Sequence, residues 1–223
     1  MPLFMKRFIL IFTILISVCV AQDAAPKHST YYWQRASLFE RLPHSSDDIV
    51  FLGDSITDGG EWCELFGDAR LKNRGISGDV TWGVLDRLSE VTAGKPVKIF
   101  LMIGVNDLAR GKTVEEIIAN YETIVERIRR ETPQTQLYIQ SVLPVNPVFG
   151  TFKNHTDKTE QIMAINESLK IMAEKTPNAT YIDLFTPFST PDHLFNTDYT
   201  NDGLHLTGDG YVLWKSLIHH YVQ

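Results

Sequence analysis

Five short stretches, most of them almost uninterrupted apolar runs, each followed by a longer amphipathic or polar segment, govern what this chain can fold into. The first is Ile49-Val50-Phe51-Leu52, and comparable runs occupy 97–104, 136–143 and 179–185; the more polar 72–77, with Ile76 its one large apolar side chain, is also read as a strand. A strand with one wet face alternates apolar and polar residues, so runs this continuous predict strands buried on both faces. Between them lie helical patterns. The clearest runs from Val114 to Glu131, with Ile117, Tyr121, Ile124, Val125 and Ile128 on one stripe, Thr113 and Glu116 spaced as a capping box, and Pro133 as the stop. Further helices are predicted over 82–92, 160–175 and 209–221, and one over 31–42, stopped by Pro43, precedes the first strand. Strand-helix alternation with right-handed crossovers yields an α/β protein, its parallel sheet covered by helices on both faces. No linker, low-complexity tract or internal repeat interrupts the chain, so one domain, 49–223, is expected.

In open sheets of this kind the functional residues gather in loops at the carboxyl ends of the strands. Four polar clusters fall there: Gly53-Asp54-Ser55, Gly75-Ile76-Ser77-Gly78-Asp79, Gly104-Val105-Asn106-Asp107 and, after the fifth run, Asp202-Gly203-Leu204-His205. Ester hydrolysis needs a nucleophile, a base, a group that orients the base, and donors aimed at the developing oxyanion. Ser55 can supply the hydroxyl, His205 the imidazole and Asp202 the orienting carboxylate. The backbone N–H groups of Ser55 and Gly78 and the carboxamide of Asn106 can supply the oxyanion donors. In isolation each cluster has a plainer role: a Ser after Gly-Asp is usually a turn residue, and Asp202 could cap the last helix. Their joint occurrence is what argues for chemistry.

Together these clusters resemble the sequence blocks of the SGNH (GDSL) hydrolase superfamily: Gly53-Asp54-Ser55-Ile56, Gly78 within 73–79, Gly104-Val105-Asn106-Asp107, and Asp202-Gly203-Leu204-His205. The stretch 204–211 is most similar to the branch holding platelet-activating-factor acetylhydrolase catalytic subunits and bacterial acetylesterases. The resemblance implies a flavodoxin-like three-layer α/β/α sandwich on a parallel five-stranded sheet, and serine esterase chemistry without metal or cofactor. Val105 stands where relatives often carry Gly or Thr, and a helix precedes the first strand; neither departure touches the catalytic residues.

Residues 1–21 carry Lys6 and Arg7, then an apolar stretch from Phe8 to Val20, then Ala21. This is the pattern of a cleaved export signal, too short for a comfortable span, and predicts a secreted or periplasmic protein with a helical extension over 22–48. A lipid anchor on Cys19 is the weaker reading, because Val18 is a poor match to such cleavage sites. Loss of 1–21 leaves Cys63 alone, expected to be a small buried side chain, and rules out an intramolecular disulfide. The net charge of −6 argues against nucleic acid, whose backbone calls for clustered Lys and Arg. The expected partner is a small-molecule or glycan ester.

Trp62 and Trp82 follow the first two blocks and are candidate pocket walls, with aromatic core as the competing role. Phe149, Phe152 and Tyr199, in two polar loops, are available to stack on a sugar ring. A rival pair, Asp192 and His193, lacks any surrounding block. The expected activity is hydrolysis of short, acetyl-type esters on carbohydrate; lysophospholipase, acyltransferase and non-catalytic carbohydrate binding are the competing functions on the same fold.

Overall fold

The computed structural model describes residues 27–223; the expected export signal over 1–21, with Cys19, lies outside the described residues. Five strands, β1 (Ile49–Gly53), β2 (Leu71–Gly75), β3 (Lys98–Met102), β4 (Gln136–Gln140) and β5 (Ala179–Ile182), form one all-parallel sheet in the order β2-β1-β3-β4-β5. The helices in chain order are α1 (Thr30–Phe39), α2 (Ser55–Asp58), α3 (Trp62–Phe66), α4 (Thr81–Ala93), α5 (Val105–Ala109), α6 (Val114–Glu131), α7 (Lys153–Thr156), α8 (Thr159–Lys175), α9 (Phe185–Phe188) and α10 (Gly208–Val222). The four long helices after β1 fall within a residue or so of their predicted bounds. Strands β3, β4 and β5 are shorter than the apolar runs that announced them: Val142 and Leu143 stay buried, but as loop. An apolar run reports burial, and buried loop satisfies it as well as strand does.

The central strands β1, β3 and β4 are almost wholly buried on both faces, and one of those faces is aromatic. Phe51, Phe100 and Tyr138 are register neighbours on β1, β3 and β4, with ring centroids 4.8 and 4.5 Å apart. Trp62 of α3 stacks on Phe51 at 4.1 Å and meets Trp214 of α10 edge-on at 4.8 Å. Trp62 is 1% exposed, and its indole N–H donates to the Thr57 carbonyl. It therefore belongs to the core, and the expectation that it walls a pocket is corrected. Cys63, one residue further along the same five-residue helix, is turned outward and exposed, contrary to its expected burial.

The predicted N-terminal helix is present but ends at Phe39, three residues short of its predicted bound, and its Tyr31 and Leu38 are exposed. Tyr32, Ala36 and Phe39 form a small separate core with Ile76, just before the Gly78 block. The Tyr32 hydroxyl donates to the Gly83 carbonyl of α4 at 2.8 Å. Tyr31 and Ser77 both donate to Asp58. The extension thus packs against the loop after β2.

Truncating Phe51 to Ala removes the ring on which Trp62 and Phe100 both stack and should cost about 3–5 kcal/mol of unfolding free energy. Urea denaturation of the two proteins measures it; a loss below about 1 kcal/mol would contradict the packing described.

Candidate active site

Strand order reverses direction between β1 and β3, and a sheet of this kind opens its crevice beyond the carboxyl ends of the strands at that point. Ser55 leaves β1 there and Asn106 leaves β3. Glycine is required at Gly53, where a Cβ would collide with the Met102 carbonyl of the neighbouring strand. Asp54 then caps α2, its Oδ1 accepting the Ile56 N–H at 3.0 Å, so that Ser55 becomes the first residue of a single helical turn. That placement leaves the Ser55 N–H without an intrahelical acceptor.

The Ser55 hydroxyl lies 3.0 Å from His205 Nε2, and His205 Nδ1 lies 2.7 Å from Asp202 Oδ2. A carboxylate only accepts, so Nδ1 carries the proton and Nε2 presents its lone pair to the serine. Asp202 Oδ1 meanwhile accepts the backbone N–H groups of Leu204 and His205, at 2.8 and 2.7 Å. Burial alone would raise the Asp202 pKa, but these hydrogen bonds from His205 and Leu204 outweigh it and hold the carboxyl below its usual range. Asp202 does not cap α10, whose N-cap is Thr207. The loop is tight: Gly203 has φ +83°, and a Cβ there would collide with the Asn146 carbonyl.

Gly78 adopts φ +78°, a conformation that favours glycine, and its carbonyl accepts from Arg110 Nη2 at 2.7 Å. Among the described residues neither the Gly78 nor the Ser55 N–H has a protein acceptor. Asn106 donates one Nδ2 hydrogen to the Asp79 carbonyl at 2.9 Å, which leaves the second free. The first two blocks are clamped by a buried ion pair: Arg87 reaches Asp79 at 2.8 Å and the Gly53 carbonyl at 3.1 Å. Asp107 accepts the Thr81 N–H, tying the third block to the start of α4.

Not every sequence candidate reaches this cluster. Trp82 is half-buried against the N-terminal segment, 4.9 Å from the His28 ring and beneath the Lys27 ammonium. Tyr199 packs edge-on against Phe188, whereas Phe149 does adjoin the cluster, lying over Gly203 of the last block. His193 borders a different cleft of about 650 Å³ together with Lys170, Tyr181 and Asp183, and no residue of the four blocks lines it. Phe152, a candidate from the sequence, is 43% exposed and sets its ring 5.0 Å from His205. Two residues at the site went unassigned in the sequence: Arg110 holds Gly78, and His155 Nε2 lies 3.0 Å from Asn106 Oδ1.

The sequence profile of the GDSL-like Lipase/Acylhydrolase family matches residues 51–213, and the chain belongs to that family. It is thereby a carboxylic ester hydrolase. Rat platelet-activating factor acetylhydrolase IB subunit alpha2 is 30% identical over 182 residues, covering 79% of this chain and 76% of the relative. A protein structure from Streptococcus pneumonia superposes with a TM-score of 0.79 at 27% identity, over 86% of this chain and 93% of that one. An acetylxylan esterase from Geobacillus stearothermophilus shares the fold at 19% identity, with a TM-score of 0.64 over 81% of this chain and 95% of that one.

Burial, reinforced by the neighbouring Asp79 and Asp107, raises the Asp54 pKa to about 7 from an ordinary value of 3.8. Between those values the folded state holds a proton that the unfolded chain has released, so the contribution of Asp54 to stability falls as pH rises. Asp54→Asn keeps the cap acceptor and removes the titration. Its melting temperature relative to the parent should climb from about pH 4 to pH 7; calorimetry across that range tests this, and a constant difference would contradict it.

Proposed function

We propose that Ser55 is the nucleophile of an exported esterase that removes short acyl groups, acetyl above all, from hydroxyls of a carbohydrate. The observation that carries the catalytic part is the unbroken chain from Asp202 through His205 to Ser55, with unsatisfied donors from three loops beside it. His205 takes the hydroxyl proton as Ser55 Oγ attacks the carbonyl carbon. The resulting oxyanion accepts from the N–H groups of Ser55 and Gly78 and from the free Asn106 Nδ2 hydrogen. As the tetrahedral centre collapses, His205 returns the proton to the leaving alcohol. Water, deprotonated by the same imidazole, then releases the acid and restores Ser55. Asp202 stays ionised throughout and stabilises the imidazolium.

Two features favour a short acyl group and a polar alcohol. The relatives at 30% identity are acetylhydrolases by name. The loop over 147–157 that adjoins His205 mixes Lys153, Asn154, His155 and Asp157 with its aromatics, unlike the contiguous apolar face that binds a lipid chain. The half-exposed Phe152 ring is placed to stack on a sugar. Export rests on the apolar stretch of residues 8–20, and the enzyme would act without a cofactor.

Ser55→Ala should abolish turnover and leave the melting temperature within a few degrees of the parent; a variant that keeps most of its activity would overturn the assignment. Asn106→Ala should lower kcat by about 10²–10³-fold at nearly constant KM, because the carboxamide acts when the oxyanion forms. A raised KM with kcat intact would make Asn106 a ground-state binding residue instead. Comparison of kcat/KM for aryl acetate, butyrate, octanoate and palmitate, alongside acetylated sugars and lysophospholipids, tests the substrate class. A maximum at acetate is expected, and one at octanoate or longer would move lysophospholipid hydrolysis to first place.

A further inference from the structure

The Asn106 carboxamide is held from both ends, and the chemistry of its partners leaves one solution. The Asp79 carbonyl can only accept, so the group within 2.9 Å of it is the amide nitrogen. The oxygen then faces His155, and a carboxamide oxygen can only accept, so His155 Nε2 carries a hydrogen and donates across 3.0 Å. The other ring nitrogen agrees. His155 Nδ1 is buried and, among the described residues, has no hydrogen-bond partner, which suits a lone pair far better than an N–H.

From this arrangement we infer that His155 is a positioning residue for ester hydrolysis: its neutral Nε2–H tautomer orients and polarises Asn106 so that the free amide hydrogen points at the oxyanion. A donor to the amide oxygen draws electron density from the nitrogen and makes the remaining N–H a stronger donor, as hydrogen bonds in series do. Burial, followed by the charges of His205 and Arg110, lowers the pKa of His155 and keeps the ring neutral. The segment that presents it is well anchored. Phe152 adopts φ +47°, unusual for a residue with a side chain, and its carbonyl accepts the His155 N–H at 2.7 Å to start the single turn α7. One residue earlier, the Thr151 hydroxyl donates to the Asp202 carbonyl at 2.6 Å. A stretch of five residues therefore joins the loop that carries the base to the loop that carries the oxyanion donor. The Phe152 ring sits between the two histidines, 5.8 Å from His155 and 5.0 Å from His205.

The inference rests on the esterase reading of the site, and its test has two arms. In the first, His155→Phe, which keeps a flat ring and loses the donor, and His155→Gln, which restores an N–H donor, are compared with the parent on an aryl acetate. His155→Phe should lower kcat about 10–100-fold with KM changed less than about twofold, a smaller loss than Asn106→Ala causes. His155→Gln should recover at least several-fold of that loss. In the second, ¹⁵N spectra of the parent imidazoles, recorded without substrate, should show His155 protonated at Nε2. An Nδ1-protonated His155, a His155→Phe variant with parental kcat, or a rise confined to KM would each overturn the inference. A parent inactive on every ester would overturn the esterase reading, while the tautomer would still decide the hydrogen bond to Asn106.

Discussion

A parallel sheet whose central strands are apolar on both faces must be roofed and floored, and crossover helices of one hand are what roof and floor it. That requirement sends every strand of this protein the same way and delivers every strand's carboxyl end to one edge. On one face the covering is built from rings: Phe51, Phe100 and Tyr138 in register, with Trp62 and Trp214 laid over them. The catalytic edge inherits its rigidity from that floor. Gly53 approaches the β3 backbone too closely to bear a side chain, so the position at which Ser55 leaves the sheet is fixed by the spacing of the strands themselves.

Charge is then arranged around that edge with little slack. Asp54, Asp79 and Asp107 are all buried beside the serine loop, with Arg87 bridging Asp79 to the end of β1. Burial raises all three pKa values, Asp107 to about 6. They act on backbone: Asp54 holds Ile56, Asp79 holds Val80, and Asp107 holds Thr81. Asp202, by contrast, keeps its charge through its hydrogen bonds and spends one oxygen on its own loop and the other on the imidazole. Four carboxylates at one edge thus divide into three that hold backbone and one that also holds an imidazole.

Most of the sheet was legible because buried strands announce themselves as apolar runs, β2 with its Lys72, Asn73 and Arg74 being the exception, and Ser55, Asn106, Asp202 and His205 could be singled out because each lies beyond a strand end within a recognisable block. What the sequence concealed has a common cause. His155 meets Asn106 across 49 residues and Arg110 meets Gly78 across 32, contacts made by irregular segments whose course no periodicity encodes. The turns α2, α5, α7 and α9 are too short to show a helical stripe. Trp62 misled for a related reason: nearness in sequence to Ser55 says nothing about which face of α3 it occupies, and the face it occupies is the one against Phe51.

Family membership defines the chain as an ester hydrolase, and the geometry proposes the atom on which the acyl group rests between the two half-reactions. The most direct measurement is rapid acid quenching of the enzyme during turnover of an activated acetate, followed by peptide mapping by mass spectrometry. The expected result is one acetyl group per chain, carried on the Ser55 hydroxyl and absent from Ser55→Ala. An acetyl group on any other residue, or steady turnover by Ser55→Ala, would contradict it.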